Sequence, residues 1–186
     1  MSRRPSEPRL ADGLAIEPAS LRTDLTILGV RRIISGGQTG VDRGALDAAI
    51  ALNIQHGGWC PRGRLAEDGT IPSCYQLQET EAIEYAVRTE RNVIDSDGTL
   101  LLFKGRLQRG SLLTYSMAQK HHRPCLRVRL DLPLDIPAIQ TWLLQNHIER
   151  LNVAGSRASS SPGIETETRE VLTHVFTREP HRSLFD

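Results

Sequence analysis

Residues 31–52, RRIISGGQTGVDRGALDAAIAL, constrain this chain more than any other stretch. A short apolar strand, Ile33 and Ile34, runs into Ser-Gly-Gly-Gln-Thr-Gly, and an amphipathic helix follows at once. That is the layout of an anion-binding loop. Gly36, Gly37 and Gly40 carry no Cβ, so they can take positive φ and let a ligand approach the backbone. A helix beginning near Gly40 and Val41 aims unpaired N–H groups and its positive dipole end at the same spot. Phosphate, or another oxyanion, suits such a place. The loop fits neither of two common templates. A P-loop needs GxxxxGK followed by Ser or Thr, and no Lys follows Gly40. A dinucleotide fingerprint needs GxGxxG, and this loop reads Gly-Gly-Gln-Thr-Gly. Classical ATPases and standard NAD(P) dehydrogenases therefore lose ground. Asp42 has two open readings: a first-turn acid that favours the helix, or a contact to a hydroxyl or metal ion beside the phosphate.

The rest of the chain continues the alternation. Val41, Ala45, Ala48 and Leu52 share one face of the first helix. Ile54–Gly58 reads as a second strand. Pro61, Gly63, Gly69 and Pro72 then argue against regular elements over 59–78. Residues 79–91 read as a helix with Ala82, Ile83, Ala86 and Val87 on one side. Asp95–Gly98 is a turn, and Thr99–Phe103 is an apolar run of the kind buried on both faces of a parallel sheet. A helix over 111–120 is expected to turn Leu112, Leu113, Ser116 and Met117 inward. Cys125–Leu130 alternates and suits a place near an edge. Asp135 and Pro137 introduce a helix marked by Ile136, Ile139 and Leu143. Arg150–Ala154 is a last strand, and 162–176 a last helix with Ile164, Val171 and Val175 inward. Alternating strands and helices mean an α/β fold: an open, mostly parallel sheet with helices on both faces. In such sheets ligands bind beyond the carboxyl ends of the strands.

Three strand-to-helix loops suit that place: SGGQTG at 35–40, KGRLQRGS at 104–111 and AGSRASSSPG at 154–163. Brought to one edge, they would supply N–H groups, hydroxyls and guanidinium donors for phosphate or an oxometal anion of similar shape. The ligand-binding set read from them is Gly36, Gly37, Gln38, Thr39, Gly40, Asp42, Gly110, Ser111, Ser156 and Arg157. Arg62, from the basic CPRGR segment at 60–64, joins them as a phosphate clamp or lid together with Arg64. Ser111 can also be a plain N-cap. Cys60 is read as a packing residue, with a soft metal ligand or reactive thiol as the sharper alternative. Glu67 and Asp68, although adjacent, receive no acid–base role. Trp59 and Trp142 read as packing residues, Trp59 alternatively as a surface stacking on a flat heterocycle. No metal site is expected, and ligation by His121 and His122 is disfavoured.

Composition narrows the class. Lys and Arg total 23 against 22 Asp and Glu, a net charge of +1, so no nucleic-acid or membrane partner is expected. No apolar run approaches the roughly 18 residues of a membrane span. Residues 1–27 hold Arg and Pro but no apolar core, so they read as a flexible arm rather than a secretory signal. A single α/β domain is expected over 28–180, followed by a tail at 181–186. The three cysteines form no CxxC pair, which suits a reducing cytoplasm and argues against structural zinc.

Several separated motifs together resemble one family. SGGQTGVDRGALDAA, GWCPRGRLAEDGTIP, the run of Tyr75, Leu77, Glu79 and Thr80, RTERNVIDSDGTLLL and the closing NVAGSRASSSPGI are similar, in that order, to the molybdenum carrier family. This is the circularly permuted YpsA-like branch of the Rossmann-like SLOG proteins, related to molybdenum cofactor carriers and more distantly to lysine decarboxylase-like LOG proteins. The resemblance spans about residues 31–176. It implies a Rossmann-like domain assembling into dimers or tetramers. It also implies a carrier of a phosphorylated heterocycle, molybdenum cofactor foremost, with a nucleotide as the other ligand. Some sister families cleave nucleoside monophosphates through a PGGxGTxxE loop whose Glu is catalytic. This chain has no Glu at the matching place, so the resemblance puts hydrolysis in doubt. Asp42 is the nearest carboxylate if the chain is such a phosphoribohydrolase.

Overall fold

The computed structural model describes residues 28–177. The arm expected at 1–27, the last residues of the expected domain and the tail lie outside them. Five parallel strands form the main sheet: β1 (Arg32–Ile34), β2 (Gln55–Gly57), β7 (Gly98–Phe103), β8 (Cys125–Arg129) and β9 (Arg150–Gly155). Their order is β2-β1-β9-β7-β8, so the strand that comes last in the chain lies at the centre. The register sets Ile33 against His56 and Leu151, and Leu101 against Arg127 and Ala154. Every residue of β7 is buried, as its unbroken apolar run requires of a strand covered on both faces. β8 is an edge strand, which its alternation anticipates.

The described residues form five helices: α1 (Val41–Ala51), α2 (Tyr85–Ile94), α3 (Arg109–Lys120), α4 (Ile136–Gln145) and α5 (Ile164–Thr177). α1, α4 and α5 enclose the main core with Ile33, Leu100, Leu102, Leu151 and Val153. The Asp135 carboxylate caps α4 by accepting from the Ala138 N–H at 2.9 Å, with Pro137 in the first turn. α1 is buried nearly all round. Its Leu46 faces away from the main core into a second cluster with Cys60, Ile71 and Tyr75.

That second cluster is built by the segment expected to be irregular, and it corrects the reading of 59–78. Short two-residue ladders form there: β3 (Trp59–Cys60) with β6 (Gln78–Glu79) in parallel, and β4 (Leu65–Ala66) with β5 (Gly69–Thr70) as a hairpin. The non-local β3–β6 pairing also delays α2, which begins at Tyr85 rather than near 79. Gln78 N–H donates to Gly58 O and Thr80 N–H to Cys60 O, so these residues are spent on a ladder before a helix can start. The inward stripes of two helices differ from expectation as well. α2 buries Thr89, Asn92 and Val93, and leaves Ile83 outside its span and exposed. α3 buries Ser111, Thr114 and Ala118, while Leu112 is 48% exposed. The α2–α3 side of the sheet is thus lined by small and polar side chains because a cleft opens there. Among the described residues no helix is long and apolar enough to cross a membrane.

Candidate functional site

A cleft of about 690 Å³ opens beyond the carboxyl ends of β1, β7 and β9. Its walls are the start of α1, the first turns of α2 and α3 and the β9–α5 loop. The volume falls within the roughly 300–1,000 Å³ typical of small-molecule sites. All three expected loops contribute. Gln38, Thr39 and Asp42 come from the first, Gly110 and Ser111 from the second, and Ser156 and Arg157 from the third.

In the first loop the N–H groups of residues 38–41 are committed to oxygens of the protein. Gln38 N–H donates to Asp42 Oδ2 (3.3 Å), Thr39 N–H to Gln38 Oε1 (3.0 Å) and Gly40 N–H to Glu165 Oε2 (3.2 Å). Val41 N–H donates to Ser156 O at 3.1 Å. Gly36, Gly37 and Gly40 lie outside the cleft walls, and each packs where a Cβ would meet close neighbours. A Cβ on Gly36 would lie 1.7 Å from Arg88 Nη1 and 2.8 Å from Asp42 Oδ2, so only glycine leaves room for that ion pair. Gly40 has φ +84, and its bare Cα lets the β9–α5 loop pack against the start of α1.

Arg88 Nη1 meets Asp42 Oδ2 at 3.1 Å, with the two side chains only 12% and 6% exposed. Burial pushes the Asp42 carboxyl above its ordinary range, against the opposing pull of Arg88 and, from further off, Arg157. Around this pair lie donors without partners. Gln38 Nε2, Arg88 Nε and Ser156 Oγ are buried and make no hydrogen bond. The Gln38 amide is held one way round, because its Oε1 accepts from Thr39 N–H and Glu67 N–H, which leaves Nε2 over. A buried polar group left unpaired costs about 1–3 kcal/mol, so these three donors on residues of the cleft walls are under-satisfied by the protein itself. The N-terminus of α3 adds to it: Gln108 gives no side-chain cap, Ser111 is 2% exposed, and open space surrounds Gly110. Asp42 is the single carboxylate on the wall among the described residues, and Arg88 occupies it. Hydrogen-bond donors thus outnumber free acceptors on these walls.

A hairpin ties the rim. Glu67 accepts from Thr39 Oγ1, from Ser159 N–H at 3.1 Å and from Ser159 Oγ at 2.6 Å, joining the first loop to the third. Desolvation opposes ionisation of Glu67, but the Ser159 and Thr39 hydrogen bonds outweigh it and hold the carboxyl below its usual range. Its neighbour Asp68 turns the other way and clamps Arg43 in a two-point bridge of 2.5 and 2.7 Å. The two carboxylates thus have separate partners.

Other expected residues stand elsewhere. Arg62 is exposed, lies outside the cleft walls and offers its backbone N–H to Ala82 O. Arg64 spends its guanidinium on the carbonyls of Ile71, Pro72, Tyr75 and Leu77, bracing the 64–77 segment in place of a phosphate. Cys60 is buried in the second cluster, and burial pushes its thiol up, which suits packing rather than reactivity. Trp59 lies outside the cleft, its Nε1–H on Asp95 Oδ2 at 2.6 Å and its ring under Arg91. Sequence reasoning missed Arg88 and Tyr85. They stand three residues apart on one face of α2, a spacing too common to single them out.

The structure is a Rossmann-like α/β domain with a donor-lined cleft at its strand ends. The chain belongs to the circularly permutated YpsA SLOG family, whose model matches residues 33–176. Among solved structures it is similar to a protein of Syntrophus aciditrophicus named "putative molybdenum carrier protein", at 47% identity and a TM-score of 0.75. That similarity covers 81% of this chain and 96% of the other. No curated protein matches the sequence significantly.

Proposed function

We propose that this protein is a carrier that holds a phosphorylated heterocycle in the cleft, with molybdenum cofactor as the cargo, and releases it unchanged. The observation that carries the reading is the group of buried, unpartnered donors: Gln38 Nε2, Arg88 Nε and Ser156 Oγ. An oxyanion with several lone pairs is the acceptor that such donors suit, and Ser111, Arg109 and Arg157 stand on the same walls. The name of the 47% identical structure supports molybdenum as part of the cargo. We place the carrier in the cytoplasm as a homo-dimer or tetramer, with no nucleic-acid or membrane partner, and light scattering tests its assembly.

A second reading, a nucleotide-binding protein or phosphoribohydrolase cleaving nucleoside monophosphates, draws on Asp42. It is a buried carboxyl pushed upward on the wall of a cleft, a pattern shared by acid–base residues. Its bonds to Arg88 and to Gln38 N–H favour a positioning role over a chemical one.

Native mass spectrometry of the protein as purified, with metal analysis on the same sample, separates the two. The carrier reading expects a bound pterin with stoichiometric molybdenum. A bound nucleotide without metal, followed by base release from nucleoside monophosphates, refutes it in favour of the second.

A further inference from the structure

The cleft has one aromatic side chain on its walls among the described residues, Tyr85. Tyr85 opens α2 and is half-buried. The Arg157 guanidinium lies over its ring, 4.9 Å from the centroid, and Arg88, one turn along the helix, stands 5.8 Å from it. Arg157 makes no close ion pair among the described residues; Asp42 and Glu67 attract it from further off, and the Tyr85 ring is the aromatic surface it covers. Its guanidinium comes from the same loop as the unpartnered Ser156 hydroxyl. An arginine resting on an aromatic face, beside a pocket of anion donors, has two places to go. On the ring it gains a modest cation–π contact. On a bound phosphate it gains a charge-assisted, two-point hydrogen bond.

We infer that Tyr85 is the surface on which the ring of the bound heterocycle stacks, and that Arg157 is its removable cover, which passes from Tyr85 to the ligand's phosphate on binding. This rests on the reading of the cleft as an anion site and adds how the non-phosphate half is recognised. A ring on Tyr85 stands within reach of the anion donors, because Arg88 joins the two: its Nε is an unpartnered donor and its guanidinium borders the Tyr85 ring. The ligand class is therefore a flat nitrogen heterocycle joined to phosphate by a short linker. Stacking reads the π face rather than the edge, so the site would accept purine and pterin rings alike.

The test is calorimetric titration at fixed ionic strength with inorganic phosphate, ribose 5-phosphate and GMP, on the wild type, Tyr85→Leu, Tyr85→Phe and Arg157→Gln. Tyr85→Leu should weaken GMP about tenfold and leave ribose 5-phosphate unchanged, as expected for loss of one stacked base. Tyr85→Phe should retain GMP affinity, which also guards against a folding defect in the leucine variant. Arg157→Gln should weaken all three probes. Equal losses for GMP and ribose 5-phosphate in Tyr85→Leu, or no loss for either, overturn the stacking role. Unchanged phosphate affinity in Arg157→Gln overturns the cover. A wild type that binds none of the three overturns the anion-site reading itself, and the inference falls with it.

Discussion

Two glycines from the loops that meet at the cleft should respond to the same substitution in opposite ways. Gly40 has φ +84 and ψ −128, a conformation that L side chains rarely adopt. An added Cβ would stand 2.5 Å from Ser156 O, 2.7 Å from Ala158 N and 2.8 Å from Arg157 C, all of them main-chain atoms. Neither the strain nor the clash can be relieved by a rotamer. The backbone strain costs about 1–3 kcal/mol and the overpacking a similar amount, so Gly40→Ala should destabilise by about 4 kcal/mol. For a domain of this size that is a fall in Tm of about 8–16 °C. Gly110 is the control. It lies in α3, its φ is not positive, and nothing stands within 4 Å of a built Cβ. Gly110→Ala should leave stability unchanged or raise it by up to about 1 kcal/mol, since alanine is the better helix former. The methyl group then projects into the cleft, so phosphate affinity should drop while stability does not. Urea unfolding followed by circular dichroism measures the first quantity, and titration with inorganic phosphate the second. Gly40→Ala within about 1 kcal/mol of wild type would refute the packing argument, and equal destabilisation by both substitutions would refute the distinction between them.

Ser156→Ala removes a buried hydroxyl that has no partner in the protein. The apo protein should become slightly more stable, while phosphate binding weakens about tenfold, the equivalent of one hydrogen bond; a parallel loss of both quantities would argue that Ser156 is structural. Asp42 and Glu67 should give stability–pH slopes of opposite sign. The folded-state pKa of Asp42 is raised by burial, so its contribution is full below the ordinary carboxylate value and is lost as pH rises through the folded value. The carboxyl of Glu67 is held low, so its contribution is full above the ordinary value and is lost as pH falls through the folded one. Urea midpoints across the acid range should accordingly show Asp42→Asn removing a decline with pH and Glu67→Gln removing a rise, and slopes of the same sign would contradict the assignment. Asp42→Asn also bears on function: under the carrier reading ligand affinity largely survives, whereas under the hydrolase reading turnover of nucleoside monophosphates is abolished.

Much of the fold was legible because the signals are local. The apolar run at 99–103, the turn chemistry of Asp135 and Pro137, and the inward positions of α1, α4 and α5 each follow from neighbours a few residues away. The errors share one cause. The β3–β6 ladder pairs residues about twenty positions apart, and no propensity in 79–84 announces it. The stripe of α3 differs because Leu112 and Leu113, which look like core residues, stand on the wall of an open cleft, while Ser111, Thr114 and Ala118 are the buried positions.

The site divides along the same line. The chain alone determined that three Gly-, hydroxyl- and Arg-bearing loops follow parallel strands, and parallel strands put such loops at one edge. It thereby determined the family and the edge of the sheet at which a ligand would sit. Which donors remain free to bind it was decided by tertiary structure. The N–H groups of residues 38–41 are consumed by Asp42, Gln38, Glu165 and Ser156, partners drawn from as far as 125 residues away. On the cleft residues the unpartnered buried donors are Gln38 Nε2, Arg88 Nε and Ser156 Oγ, two of them from outside the glycine loop, while Arg32 Nε and Thr168 Oγ1 are unpartnered elsewhere. A motif specifies which hydrogen-bonding groups a loop owns. Only the packed chain, where every buried group competes for partners, settles which of them are left for a ligand.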